Sequence, residues 1–175
     1  GYKDEIYPAI EALDIIGDAQ AAGPLGQFMT TSLGVRWSDW KVEAMPTIIS
    51  SLVKFGEPAI VPLVEALKCA SDSKVGLEDK YWYIGGKQIS DKDHFLIKDH
   101  NKGYNDYCPS TRIIANALTK LKWKPETDEL LALQLVAMQK WSDCVKLGVP
   151  TVEQLIKVFE HNWDSEERQN VAKTL

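Results

Sequence analysis

Leu52-Val53-Lys54-Phe55-Gly56-Glu57-Pro58-Ala59-Ile60-Val61-Pro62-Leu63-Val64-Glu65-Ala66-Leu67 decides the fold, because the chain repeats this phrase with variations. It returns as Cys144-Val145-Lys146-Leu147-Gly148-Val149-Pro150-Thr151-Val152-Glu153-Gln154-Leu155-Ile156-Lys157-Val158-Phe159. A fainter copy stands near the start, in Ile16-Gly17-Asp18-Ala19-Gln20-Ala21-Ala22-Gly23-Pro24-Leu25. Each copy reads as a helix end, a tight turn and a helix start. Gly56 and Gly148 sit where a helix C-terminus favours a left-handed residue, which glycine adopts without steric cost. Pro58 and Pro150 follow at the opening of the next helix, where a missing N–H has no intrahelical acceptor to lose.

After each turn comes an apolar stripe at i, i+3, i+4 and i+7: Ala22, Leu25, Gly26 and Met29; then Ile60, Leu63, Val64 and Leu67; then Val152, Leu155, Ile156 and Phe159. That spacing buries one face of a helix. A single such helix pair cannot bury its own apolar face, so the units are expected to stack. A further helix should close each unit. Ser165 to Leu175 supplies one, capped by Asp164 or Ser165 with acidic residues in its first turn. Ser110 to Leu118 is the earlier equivalent, and Ile6, Ile10 and Leu13 mark a matching helix before Gly17. The fold expected is all-α: an antiparallel helix-pair superhelical solenoid forming one domain over residues 1–175, read as a piece of a longer chain.

The sequence from Gly56 to Leu63, with Arg112 to Leu118 and Arg168 to Leu175, resembles HEAT-like (armadillo-like) repeats of the phycobilisome-lyase type. Lys122-Trp123-Lys124-Pro125-Glu126-Thr127-Asp128-Glu129 also resembles the linker between such units. The resemblance implies an α-solenoid and a scaffold or regulatory role. It also admits a bilin-lyase-type enzyme. HEAT-like di-iron hydroxylases use repeated His-Glu dipeptides, and the chain has none; Glu160-His161 runs in the reverse order.

Residues 70–109 interrupt the array, since the second and third copies lie much further apart than the first and second. This stretch loses helical period and gains Asp, Lys, Gly and aromatics. Tyr81 to Ser90 reads as a β-hairpin turning on Gly85-Gly86, within a small hairpin or loop insertion. Insertions in repeat arrays gather on one face, often the binding face. Tyr81, Trp82 and Tyr83 are therefore candidate partner-binding residues. Trp37 and Trp40 join them, because tryptophan is enriched at interface hot spots. Trp123 and Trp141 read as core or inter-unit packing.

The net charge is −5 and the basic residues form no cluster, which argues against a nucleic-acid partner such as HEAT-like glycosylases bind. No apolar run approaches the ~20 residues of a membrane span. Cys69, Cys108 and Cys144 are odd in number and far apart, which points to a reducing compartment such as the cytoplasm. His94 and His100, each preceded by Asp, are weak candidates for a divalent metal, though no ligand spacing supports them. No nucleophile elbow or phosphate-binding loop is present, and no cofactor is implied. Another protein is the partner expected.

Overall fold

The computed structural model of the chain describes residues 2–33, 39–72, 110–161 and 165–175. Every regular element among these residues is helical. They are α1 (Tyr2–Ile16), α2 (Ala22–Leu33), α3 (Asp39–Phe55), α4 (Ile60–Asp72), α5 (Ser110–Lys120), α6 (Asp128–Ala137), α7 (Trp141–Leu147), α8 (Val152–His161) and α9 (Ser165–Thr174). The expected hairpin at 81–90, and the whole stretch 73–109, lie outside the described residues.

Each copy of the phrase becomes the same local structure: a helix, a single 3-10 turn, and a second helix. The turns are Ala19–Ala21, Glu57–Ala59 and Val149–Thr151. Each is closed by one backbone bond: Ala21 N–H to Asp18 C=O at 2.9 Å, Ala59 to Gly56 at 3.0 Å, and Thr151 to Gly148 at 2.9 Å. Pro58 and Pro150 occupy the middle of their turns rather than the first α-helical residue, and their fixed φ suits either place. The first copy differs by one residue. There Gly17 takes the positive φ of +68° and Asp18 follows, its carboxylate accepting the Gln20 N–H at 2.9 Å.

Gly56 and Gly148 both have φ of +75°, with ψ of −138° and −129°. This is not the left-handed helical region expected of a helix cap. It is a region closed to residues with a Cβ by local backbone clash. A Cβ added at either glycine would meet nothing within 4 Å, so only backbone strain opposes substitution. Gly56→Ala and Gly148→Ala are each expected to destabilise the fold by about 1–3 kcal/mol, readable by urea unfolding.

Packing follows the order of the units. α1 lies against α3, and α2 lies against α4, so the first two pairs stack like on like. α5 packs along α4 and touches α3; α9 touches both α7 and α8 in the same way. The helix that follows each strong copy therefore closes the pair before it. The main core runs from Ile10 through Leu25, Met29, Ile48, Ile49, Leu52, Leu63 and Leu67 to Ile114 and Leu118. A smaller core of Val136, Cys144, Leu155 and Val171 lies under the last unit. α6 joins the two, sending Leu133 and Ala137 into the first and Val136 into the second. A helix used on two sides must be apolar on two sides, as Leu130-Leu131-Ala132-Leu133 already shows. Thr127 caps α6, its hydroxyl accepting the Leu130 N–H at 3.3 Å. Buried Gln134 donates to the Thr119 hydroxyl at 3.2 Å, which fixes α6 against α5.

α2 and α4 approach each other closely at Gly26. A Cβ at Gly26 would stand 2.2 Å from the Pro62 Cβ. The missing side chain at Gly26, which interrupts the apolar stripe in sequence, is thus the space that Pro62 needs.

Candidate interaction surface

Three stripes predicted to be buried meet different fates. In the first, Ala22, Leu25 and Met29 are 4% exposed or less. In the second, Leu63 and Leu67 are fully buried and Val64 is 9% exposed, with Ile60 half-buried. In the third only Leu155 is buried; Val152, Ile156 and Phe159 are 41%, 42% and 36% exposed. This corrects the expectation that all three stripes are core. α8 is turned so that Thr151, Leu155 and half-buried Val158 face inward. Val152, Ile156 and Phe159 share a separate, outward-facing line.

The chemistry of the closing helices accounts for the difference. α5 brings Ile113, Ile114, Ala117 and Leu118, all 2% exposed or less. With Arg168 aligned to Arg112, α9 brings Gln169, Asn170, Lys173 and Thr174 at those positions. Only Val171 is left to bury. A polar helix cannot cover an apolar line without stranding its own polar groups, so the line stays open. Val149 at 85% exposure extends it before α8, and exposed Leu175 lies beyond α9. Arg168 sits at its edge, with its guanidinium carbon 4.8 Å from the centre of the Phe159 ring.

On the other side of α8, Lys157 ties the last unit to the main core. Its ammonium donates to Asp72 of α4 at 2.9 Å and pairs with Glu153 at 3.0 Å. The Asp72 hydrogen bond is the main reason the Lys157 pKa is raised, against the opposing effect of partial burial. A raised folded-state pKa gives stability that is complete below the ordinary lysine value of ~10.4 and is lost as pH rises through the folded value. At the opposite end, Lys54 of α3 pairs with Asp14 of α1 and is the chief cause of the Asp14 carboxyl lying below its usual range. That contribution is present above ~3.9 and is lost as pH falls through the lowered value. Unfolding followed across pH is expected to show both losses: an acid-side loss absent in Asp14→Asn and an alkaline-side loss absent in Lys157→Gln. Surface pairs of this kind contribute only about 0–1 kcal/mol each.

Burial raises the Cys144 thiol above its usual range, and half-buried Cys69 points its sulfur at the Thr30 carbonyl at 3.8 Å. Among the described residues, no three His, Cys, Asp or Glu side chains gather as a metal site. No described helix is long and apolar enough to cross a membrane.

Of the residues singled out in the sequence, Trp37, Tyr81, Trp82, Tyr83, His94 and His100 lie outside the described residues. Trp40 falls in the first turn of α3. Trp123 packs against the main core and Trp141 against the smaller one, as their structural reading required. The open line on α8 was missed, and the signal for it was present: polar Gln169, Asn170, Lys173 and Thr174 stand where α5 has its apolar residues. Set against family models, curated proteins and solved structures, the chain matches none of them.

Proposed function

We propose that the chain is a non-catalytic scaffold of HEAT-like repeats, a superhelical solenoid that binds another protein. The open Val152–Ile156–Phe159 line carries this reading. A line of large apolar side chains held on a rigid helix is costly to leave in water and gains free energy when a partner covers it. Its aromatic and arginine edge, Phe159 with Arg168, has the composition from which binding hot spots are built. The repeated phrase, the 3-10 turns and the like-on-like stacking of α1 on α3 and α2 on α4 support the solenoid. The buried Cys144 thiol fits a reducing compartment such as the cytoplasm. Insertion residues 70–109, with Tyr81, Trp82 and Tyr83, form a second candidate face.

Pull-down separates these surfaces. The intact chain, Ile156→Asp and a chain lacking residues 74–107 are each immobilised and their retained proteins compared. Proteins lost with Ile156→Asp are the expected result. Proteins lost only with the deletion would move the binding face to the insertion. No protein retained above a blank matrix would contradict the scaffold reading.

A further inference from the structure

The described residues form two cores, and α6 is the helix that enters both. α1 to α5 surround the main core, and α7 to α9 surround the smaller one. Among the described elements, packing between these two bodies runs mainly through α6. It lies against α4 and α5 on one side, and against α7, α8 and the Val149–Thr151 turn on the other. On the main-core side α6 buries Leu133 and Ala137, with Leu130 and neighbouring Met138 partly covered.

The backbone on either side of α6 differs from that inside the repeated units. Inside them the positive-φ positions are glycines, Gly17, Gly56 and Gly148. Among the described residues, the non-glycine positions with positive φ are Lys122 and Gln139, both at +56°, one before α6 and one after it. Each closes a Schellman turn. Trp123 N–H donates to the Leu118 carbonyl and Lys122 N–H to the Thr119 carbonyl, both at 3.0 Å. Lys140 N–H donates to the Leu135 carbonyl at 2.9 Å, and Gln139 N–H to the Val136 carbonyl at 3.0 Å. A residue with a Cβ is disfavoured in this region, while the ordinary regions of φ/ψ space stay open to it. These two turns keep their geometry only while the packing around α6 holds them. Hinges form at such element-terminal positions, which absorb backbone rotation.

One ion pair also spans the two bodies: the Lys157 ammonium of α8 stands 2.9 Å from the Asp72 carboxylate of α4. We propose that α6 is a hinge. The α7–α9 unit swings against the α1–α5 body through rotation at Lys122 and Gln139, and the Lys157–Asp72 pair is the clasp of the closed arrangement. The Asp72 side chain is 70% exposed, so salt reaches the clasp and weakens it. The swing moves the open line of α8 relative to α1 and α2, and so sets the spacing between contact points offered to one partner. That consequence rests on the scaffold reading; the hinge itself does not.

Double electron–electron resonance on the intact chain, between nitroxides carried on p-acetylphenylalanine at Val61 of α4 and Val145 of α7, tests the hinge. Both positions are exposed. At low salt, Asp72→Asn and Lys157→Gln are each expected to raise the ratio of a second distance to the first about two- to fivefold, the range open to an exposed ion pair. The double variant should match either single. In the Asp72→Asn background, Lys122→Gly and Gln139→Gly should lower that ratio, because glycine takes positive φ without steric cost. Lys122→Val and Gln139→Val should raise it, since a β-branched residue is least at home there. Asp14→Asn breaks a pair inside the first body and should leave the distances unchanged. Three results would overturn the hinge: one distance distribution common to all variants, a shift with Asp14→Asn as large as with Asp72→Asn, or no response to the glycine and valine changes. The readout is a distance, so failure here is distinct from failure to retain a protein in the pull-down.

Discussion

Gly26→Leu is expected to break the α2–α4 contact and destabilise the protein by more than about 3 kcal/mol, because overpacking a closed contact already costs ~1–3 kcal/mol. The direction is not obvious from helix propensity, since replacing a helical glycine by alanine gains about 1 kcal/mol. The geometry decides against that gain. A Cβ at Gly26 would lie 2.2 Å from the Cβ of Pro62 and 3.2 Å from its Cα. The obstacle is a rigid ring and backbone on a packed helix, not the end of a flexible side chain. Even Gly26→Ala should therefore lose stability in urea unfolding. Pro62→Gly removes the offending Cβ. The double variant Gly26→Ala/Pro62→Gly should be more stable than the sum of the singles, by a coupling of about 0.5–3 kcal/mol. Additive losses would show that α2 and α4 do not meet at this point.

Leu67→Asp and Phe159→Asp change the same repeat position and are expected to differ by more than about 4 kcal/mol. Leu67 is fully buried on α4 in the main core. A carboxylate there has no partner, and burying an unpaired charge belongs to the short list of changes that exceed ~4 kcal/mol. Phe159 is 36% exposed at the edge of the open line. Its replacement removes the contact with Arg168, worth about 0.5–1 kcal/mol at an exposed site, and leaves the new carboxylate in water beside that guanidinium. Leu67→Asp should be unfolded or molten by near-UV circular dichroism and thermal scanning. Phe159→Asp should keep a cooperative transition near that of the wild type. Equal losses would mean that Phe159 is core and that the interaction surface lies elsewhere.

The turns were the most legible part of the sequence, because backbone chemistry is local. Glycine with positive φ and proline with fixed φ leave the chain few choices, and Gly56-Glu57-Pro58 and Gly148-Val149-Pro150 adopt one geometry. The closing helices were legible too: α5 and α9 were expected from a polar cap, an arginine and an apolar tail. Burial was less legible, because a stripe shows that a helix is amphipathic and not whether anything covers it. Val64 and Ile156 look alike in sequence and differ in burial because Ile113 and Ile114 follow one, while Gln169 and Asn170 follow the other. Gly26 carried a signal that one-dimensional reading inverts. It leaves a gap in an apolar stripe, and that gap is where Pro62 of α4 packs against α2. α6 does not belong to the repeated phrase, and its role as a two-sided joint becomes visible only once both cores are in place. The aromatic and histidine candidates of the 70–109 stretch fall outside the described residues, so the surface argued from structure is a different one.

The central claim is that one phrase, written twice, builds one unit twice. Backbone chemical shifts of residues 52–67 and 144–159, measured on the intact chain by NMR, test it most directly. The account predicts helical Cα shifts on both sides of each turn, a single break at Gly56 and at Gly148 with positive φ, and superimposable patterns along the two segments. Extended-strand shifts in either segment, or a continuous helix through either glycine, would contradict it.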